Sequence, residues 1–487
     1  HRMHRVDYMT IDTEGSELSI VKAFPWHEFD VRVVQVEQLQ RPDSVVLVHQ
    51  LDVLRRHFLR RSGLGFGALG LAEVLAAGQS ASGPHYPGTA KRVIHFFLNG
   101  GPSHVDTFDP KPALQKHAGR ELPQGNLRTE RKTGAAFPSP FEFKHHGQSG
   151  IEVSSLFPRV AEHMDEIAVV RSMKAKLPNH EPSLMLMNCG DAILSRPSVG
   201  SWATYGLGSE NANLPSFVAM SPGGYPIKGA QNWQAGFLPG AFQGTFVDSK
   251  HEQVEQLIEH IRNAGQSRGR QRAQLDFLQL LNRRHLEKRG GEDDQLRARI
   301  QSFELAYRMQ MDATDAFDLG REPAYLRDLY GRGVHGRQTL IARRLLERGV
   351  RYVQLWHGSG QPWDNHDKIE ENHRKLAGEL DRPVAALLTD LKQRGMLEDT
   401  LVVFGGEFGR TPTVELTGAG KSRLGRDHNP YGFTVWMAGG GIKGGVSYGE
   451  TDELGAAAVG DTLHVRNMHA TVLDRMGLDP NNLSYFY

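Results

Sequence analysis

A chain of 487 residues is long enough for one large α/β domain with appendages, or for two to three ordinary domains. Apolar residues make up 39% and charged residues 23%, the balance of a soluble globular fold, and a net charge of +1 supplies no global field for a nucleic acid. The single cysteine, Cys189, excludes an intramolecular disulfide and any cysteine-based zinc cluster, so metal chemistry would fall to oxygen ligands and the 23 histidines.

At the start of the chain, residues 6–17 read as a strand ending in an acidic turn, followed by a helix at 18–23 and an apolar strand at 31–36. The turn Ile11-Asp12-Thr13-Glu14-Gly15-Ser16-Glu17 resembles the C-terminal part of the FkbM-type S-adenosylmethionine methyltransferases. The glycine-rich strand–turn–helix that would cradle the cofactor is missing, so residues 1–44 are expected to be a remnant without methyltransferase activity. Residues 45–90 carry a different pattern. Arg55-Arg56-His57-Phe58-Leu59 precedes a short apolar, glycine-rich stretch to Ala77, and small residues follow at Ser80-Ala81-Ser82. That is the layout of an export signal of the twin-arginine class, which delivers folded proteins to the periplasm or exterior. The alternative is an amphipathic surface helix with a basic start. No stretch reaches the roughly 18 uncharged residues of a stable membrane span.

From residue 91 onward the chain alternates. Strands are expected at 91–98, 167–171, 216–219, 351–356, 400–404 and 433–438, and helices at 156–164, 338–348 and 373–394. Residues 250–330, polar and rich in Arg, Gln and Glu, read as a helical insertion. Such alternation predicts an α/β domain over 91–487, a mainly parallel sheet with helices on both faces.

Ligands bind such sheets beyond the carboxyl ends of the strands, and four strand ends here carry His or carboxylate residues. Strand 91–98 leads to Ser103-His104-Val105-Asp106-Thr107-Phe108-Asp109-Pro110-Lys111, and 351–356 to Trp363-Asp364-Asn365-His366. Strand 400–404 leads to Glu407-Phe408-Gly409-Arg410, and Gly425-Arg426-Asp427-His428 stands just before 433–438. Mixed Asp, Glu and His ligands suit borderline-to-hard divalent ions. Each cluster alone has a structural alternative, as a helix cap, a loop anchor or, for Glu407 and Arg410, a plain ion pair.

Taken in order, these motifs resemble the domain of unknown function 1501 family, together with Ala438-Gly439-Gly440-Gly441-Ile442-Lys443 and the stretch from His469 to Asp479. The likeness runs from about residue 55 to the C-terminus. It implies an alkaline phosphatase and sulfatase-like fold holding one or two divalent cations, whether zinc, manganese, calcium or magnesium. By that resemblance Asp364, His366 and His428 share one metal, and Glu407 stands where the superfamily has an Asp–His pair for another. Asn99 replaces the usual metal-binding Asp of the first strand, and Asp106 or Asp109 would substitute. His180, in His180-Glu181-Pro182-Ser183, occupies the position of the sulfatase nucleophile-forming cysteine. His180 is therefore expected to attack or to transfer protons, with Lys111 and Arg410 stabilising charge on the ester oxygens. The function expected is an exported, metal-dependent hydrolase of a sulfate or phosphate ester, on a small-molecule or polysaccharide substrate. The alternative is a non-catalytic protein of the same fold that binds a metal or an anionic polysaccharide.

Overall fold

In the computed structural model the described residues are 4–6, 9–11, 29–31, 34–36, 83–257, 267–288, 315–417, 420 and 423–485. The chain divides into two compact units, His1–Gly63 and Leu64–Tyr487. In the first, His4–Val6 pairs in parallel with Phe29–Val31, and Met9–Ile11 with Val34–Val36. The expected acidic turn at 12–17, the helix at 18–23 and the export segment at 55–77 lie outside the described residues.

The second unit is built on a nine-stranded sheet. Its strands are β1 (Arg92–Phe97), β2 (Ile167–Lys174), β3 (Phe217–Ser221), β4 (Thr245–Asp248), β5 (Tyr352–Trp356), β6 (Thr400–Gly405), β7 (Phe433–Ala438), β8 (Val446–Tyr448) and β9 (Leu463–His464). They lie in the order β4-β3-β5-β1-β6-β7-β2-β8, with β9 beside β2. All six expected strands are present, and the short β4, β8 and β9 join them. Only β7 runs against the others, antiparallel to both β6 and β2. One reversed strand in an otherwise parallel sheet has a consequence for the site: its amino end lies at the edge where its neighbours' carboxyl ends emerge.

Among the described residues, helices that cover the sheet include α1 (His180–Cys189), α2 (Val199–Leu207), α3 (Val334–Glu347), α4 (Ile369–Gln393) and α5 (Val465–Arg475). Alternation along the central strands explains why both faces are covered. Ile94 and Phe96 of β1, Val353 and Leu355 of β5, and Val402 and Phe404 of β6 enter one core with α3 and α4. Val93 and Phe97, Tyr352 and Trp356, and Leu401 and Val403 enter the other with α1, α2 and α5. Strands buried on both faces read as continuous apolar runs, which is why they were visible in the sequence.

The helix expected at 156–164 is instead a tight 3₁₀ segment at Val160–Glu166. Pro158 disfavours a helical conformation at Phe157, so the helix cannot begin where it was expected. Within 250–330 the described residues form helices at Val254–Leu257, Arg268–Lys288 and Ala324–Tyr330. No helix among the described residues is long and apolar enough to cross a membrane.

Candidate metal centre

Three consecutive strands deliver the chemistry to one edge of the sheet. The loop after β5 carries Asp364 and His366, the loop after β6 carries Glu407 and Arg410, and His428 precedes the reversed β7. From β2 the chain turns into α1, whose first residue is His180. These side chains converge on a single oxygen. Asp364 Oδ1 lies 2.9 Å from His366 Nε2, 3.0 Å from His428 Nε2 and 3.3 Å from His180 Nε2, and it accepts a hydrogen bond of 2.8 Å from Arg410.

Behind each imidazole stands a carboxylate. His180 Nδ1 donates to Glu407 Oε1 at 2.8 Å, His366 Nδ1 donates to Glu415, and His428 Nδ1 lies 3.3 Å from Glu130 Oε2. Glu407 Oε1 also accepts the Gly100 amide at 2.9 Å. Close backbone approach makes this possible. Gly100 has φ +115, and a Cβ there would fall 2.4 Å from the Asp364 nitrogen, while a Cβ on Gly425 would fall 2.2 Å from the His366 carbonyl carbon. Phe408, buried, packs 4.9 Å from the His180 ring and 4.7 Å from the His428 ring and closes the back of the cluster.

Protonation follows from these contacts. For Asp364 burial alone would raise the carboxyl pKa, but the close imidazoles of His180, His366 and His428, with the charge of Arg410, hold it far below the usual carboxylate range. Burial pushes His428 down to about 3, so it is neutral. At His180 burial works downward too, but Asp364 and Glu407 outweigh it and raise the imidazole above its ordinary value.

The residues fit a divalent cation of the kind the family resemblance implies. With Nδ1 protonated toward a carboxylate, Nε2 of His180 and of His366 is an acceptor, and it faces an acceptor oxygen; neither nitrogen makes a hydrogen bond. Acceptors gathered around one carboxylate oxygen in a buried site need a cation or extra protons among them. Ligand atoms of His180, Asp364 and His428 lie within 4.8 Å of one another, as do those of His366, Asp427 and His428.

Of the residues expected from sequence, Asp364, His366, His428, His180 and Glu407 meet here. Asp106 lies apart from them. It is fully buried in a two-pronged ion pair with Arg426 at 2.8 and 3.1 Å, with Ser103 Oγ on the same carboxylate. Lys111 pairs with Asp109 at 3.0 Å and donates to the Thr451 carbonyl, so it does not reach the cluster. Arg410 does reach it, but its guanidinium is occupied by Asp364 and by the carbonyls of Gly100, Gly101, Trp363 and Arg426. Asn99 ties the β1 and β5 loops together through Gly358, Gly360 and His357. Sequence reasoning missed the backing carboxylates Glu415 and Glu130. An acidic residue closing the β-branched pair Thr413-Val414 was the one local signal for Glu415; Glu130, in a charged run, offered none.

No curated protein matches the chain in sequence. Solved structures are similar to it in fold. They include the PsFucS1 sulfatase from Pseudoalteromonas sp., at 13% identity over 85% of this chain and 71% of that one, with a TM-score of 0.35. An alkaline phosphatase from the Antarctic bacterium TAB5 is similar at 9% identity over 80% and 98% of the two chains, with a TM-score of 0.31. The phosphonate monoester hydrolase SpPMH from Silicibacter pomeroyi is similar at 11% identity over 67% and 70%, also with a TM-score of 0.31. Likenesses this distant say nothing of what this chain does. The methyltransferase resemblance of the first 44 residues finds no support among these relatives. The family described as Protein of unknown function (DUF1501) matches residues 90–487, and the chain belongs to that family.

Proposed function

We propose that the protein is a metal-dependent hydrolase of sulfate or phosphate esters, with Asp364, His366 and His428 as metal ligands. The observation that carries this reading is the meeting of His366 and His428 at Asp364 Oδ1, within 3.0 Å, at the carboxyl edge of the sheet. When bound, a divalent cation there supplies Lewis-acid polarisation and water activation. The chain's own residues do the rest. Arg410 holds the Asp364 carboxylate in place, and Glu415 keeps the His366 proton on Nδ1 so that Nε2 stays a ligand. A second reading, a metal-bearing protein that binds anionic polysaccharide without cleaving it, has one observation in its favour: Lys111 and Arg410 are both engaged by other groups.

Aryl sulfates, aryl phosphates and phosphodiesters, each tested with zinc, manganese, calcium and magnesium, separate the two. Turnover of one class that disappears with a chelator and returns with metal supports the hydrolase. A metal-loaded protein that cleaves none of them yet binds sulfated polysaccharide tightly supports the binder.

The reading includes export by the twin-arginine segment at 55–77, ahead of a domain over 91–487. In a chain beginning near Leu51, replacing Arg55 and Arg56 by Lys is expected to stop transport, with the protein retained in the cytoplasmic fraction. Undiminished transport of that variant would refute the assignment.

A further inference from the structure

We infer that His180 is a fourth protein ligand of this metal, oriented by Glu407, rather than the group that attacks the substrate. The inference rests on the metal reading above and changes the part His180 plays in it. Three observations lead to it. His180 Nε2 approaches the same Asp364 oxygen as the other two imidazoles, at 3.3 Å, and its ring lies 4.3 Å from that of His428. Its Nδ1 proton is held by Glu407, whose carboxylate is fully buried and fixed in turn by the Gly100 amide, so the nitrogen left for chemistry is Nε2. That Nε2 is buried and makes no hydrogen bond. At 2.9, 3.0 and 3.3 Å, each of the three nitrogens is close enough to Asp364 Oδ1 to share one ion with it on bonds of about 2.0–2.1 Å.

The resulting set is three imidazole nitrogens and one carboxylate oxygen, with a hydrogen-bonded carboxylate behind His180 and behind His366. Outer carboxylates of this kind fix the tautomer and raise ligand basicity. A set so rich in imidazole selects a borderline transition ion such as zinc, whereas calcium and magnesium prefer oxygen ligands. Four protein ligands also fill a tetrahedral zinc, so an ester could reach the metal only by a rise in coordination number or by loss of one ligand.

A second constellation in the molecule shows why the tautomer decides. His335, His357 and Glu379 also bring ligand atoms within 4.8 Å of one another. There, however, the Trp363 indole N–H donates to His357 Nδ1 at 2.9 Å. Indole only donates, so Nδ1 carries no proton, and His357 Nε2 must carry it toward Glu379 at 2.9 Å. A protonated nitrogen is no ligand, and this group is a hydrogen-bonded pair with a neighbouring histidine.

Zinc binding to the full chain, measured by competition with a chelating dye, tests the inference. His180→Ala is expected to weaken zinc binding by more than the roughly 10–100-fold typical of losing an outer partner, and Glu407→Gln by an amount within that range. Glu379→Gln is expected to leave zinc affinity unchanged. With cobalt(II) in place of zinc, the visible ligand-field spectrum of His180→Ala should differ from that of the wild type. If His180→Ala or Glu407→Gln keeps wild-type zinc affinity while Asp364→Ala loses the metal, the inference is overturned and the metal reading survives. Should Asp364→Ala also keep its zinc, both fall. Thermal melting of each variant without metal reports folding, and Glu407→Gln, which removes no ligand, decides the matter if His180→Ala does not fold.

Discussion

Asp364→Ala is expected to leave the purified protein essentially free of metal and without hydrolytic activity. Asp364 Oδ1 is where three imidazoles and Arg410 meet, so its removal takes away the anionic ligand and strands the guanidinium together. The loss of affinity should exceed the roughly 10–100-fold produced by outer carboxylates. Asp364→Asn separates the two effects. The amide keeps an oxygen for Arg410 but not the charge, so the variant should fold and still bind metal poorly. Metal content by atomic emission after dialysis, alongside melting curves, is the measurement. Unchanged metal content with only reduced stability would assign Asp364 to the fold and remove the basis for the proposed chemistry.

The second large effect concerns the ion pair that Asp106 forms. Arg426→Ala is expected to destabilise the protein by about 3–5 kcal/mol, because it leaves a fully buried carboxylate without its partner. It also removes the guanidinium that lies 4.6 Å over the Phe137 ring. A pH dependence accompanies it. In the wild type burial raises the Asp106 pKa, but the charge and hydrogen bonds of Arg426 outweigh burial and lower it. A carboxyl lowered in the folded state contributes stability that is present above its unfolded pKa of about 3.9, and that is lost as pH falls through the folded value. Without Arg426 burial dominates and the sign reverses, so Arg426→Ala should be closest to wild type at acid pH and fall further behind as pH rises. Urea unfolding across pH 3–7 reads this directly. The double variant Arg426→Met, Asp106→Leu should recover much of the loss, since no buried charge is then left unpaired.

Glu415 shows what the sequence lacked. Asp106 and Glu415 are both acidic residues near strands of the sheet edge, and the motif series offered Asp106 or Asp109 as a ligand and passed over Glu415. In the fold Arg426, 320 positions away, takes Asp106, while Glu415 stands behind His366. His180 and Glu407 are 227 positions apart and meet only because the turn after β2 and the loop after β6 emerge at one edge. Spacing within a motif carries no information about such partners, because a carboxylate serves a metal, an arginine or an imidazole with equal ease.

By itself the sequence determined the α/β class, the six main strands, the helices at α3 and α4 and the stretches that hold the candidate ligands. These follow from apolar runs and helical periodicity, which are local properties of burial on two sheet faces. Short elements without a full period, such as the paired strands Phe143–His146 and Ile151–Ser154, could not be read that way. Only the tertiary structure decided that β7 runs against its neighbours, which carries His428 to the edge where Asp364 and His366 stand. It alone decided that Arg410 and Lys111 are spent on other groups, and that Asp364 Oδ1 is the point of convergence. The physical reason is that hydrogen bonds and ion pairs between residues hundreds of positions apart depend on strand order and direction, which no local pattern encodes.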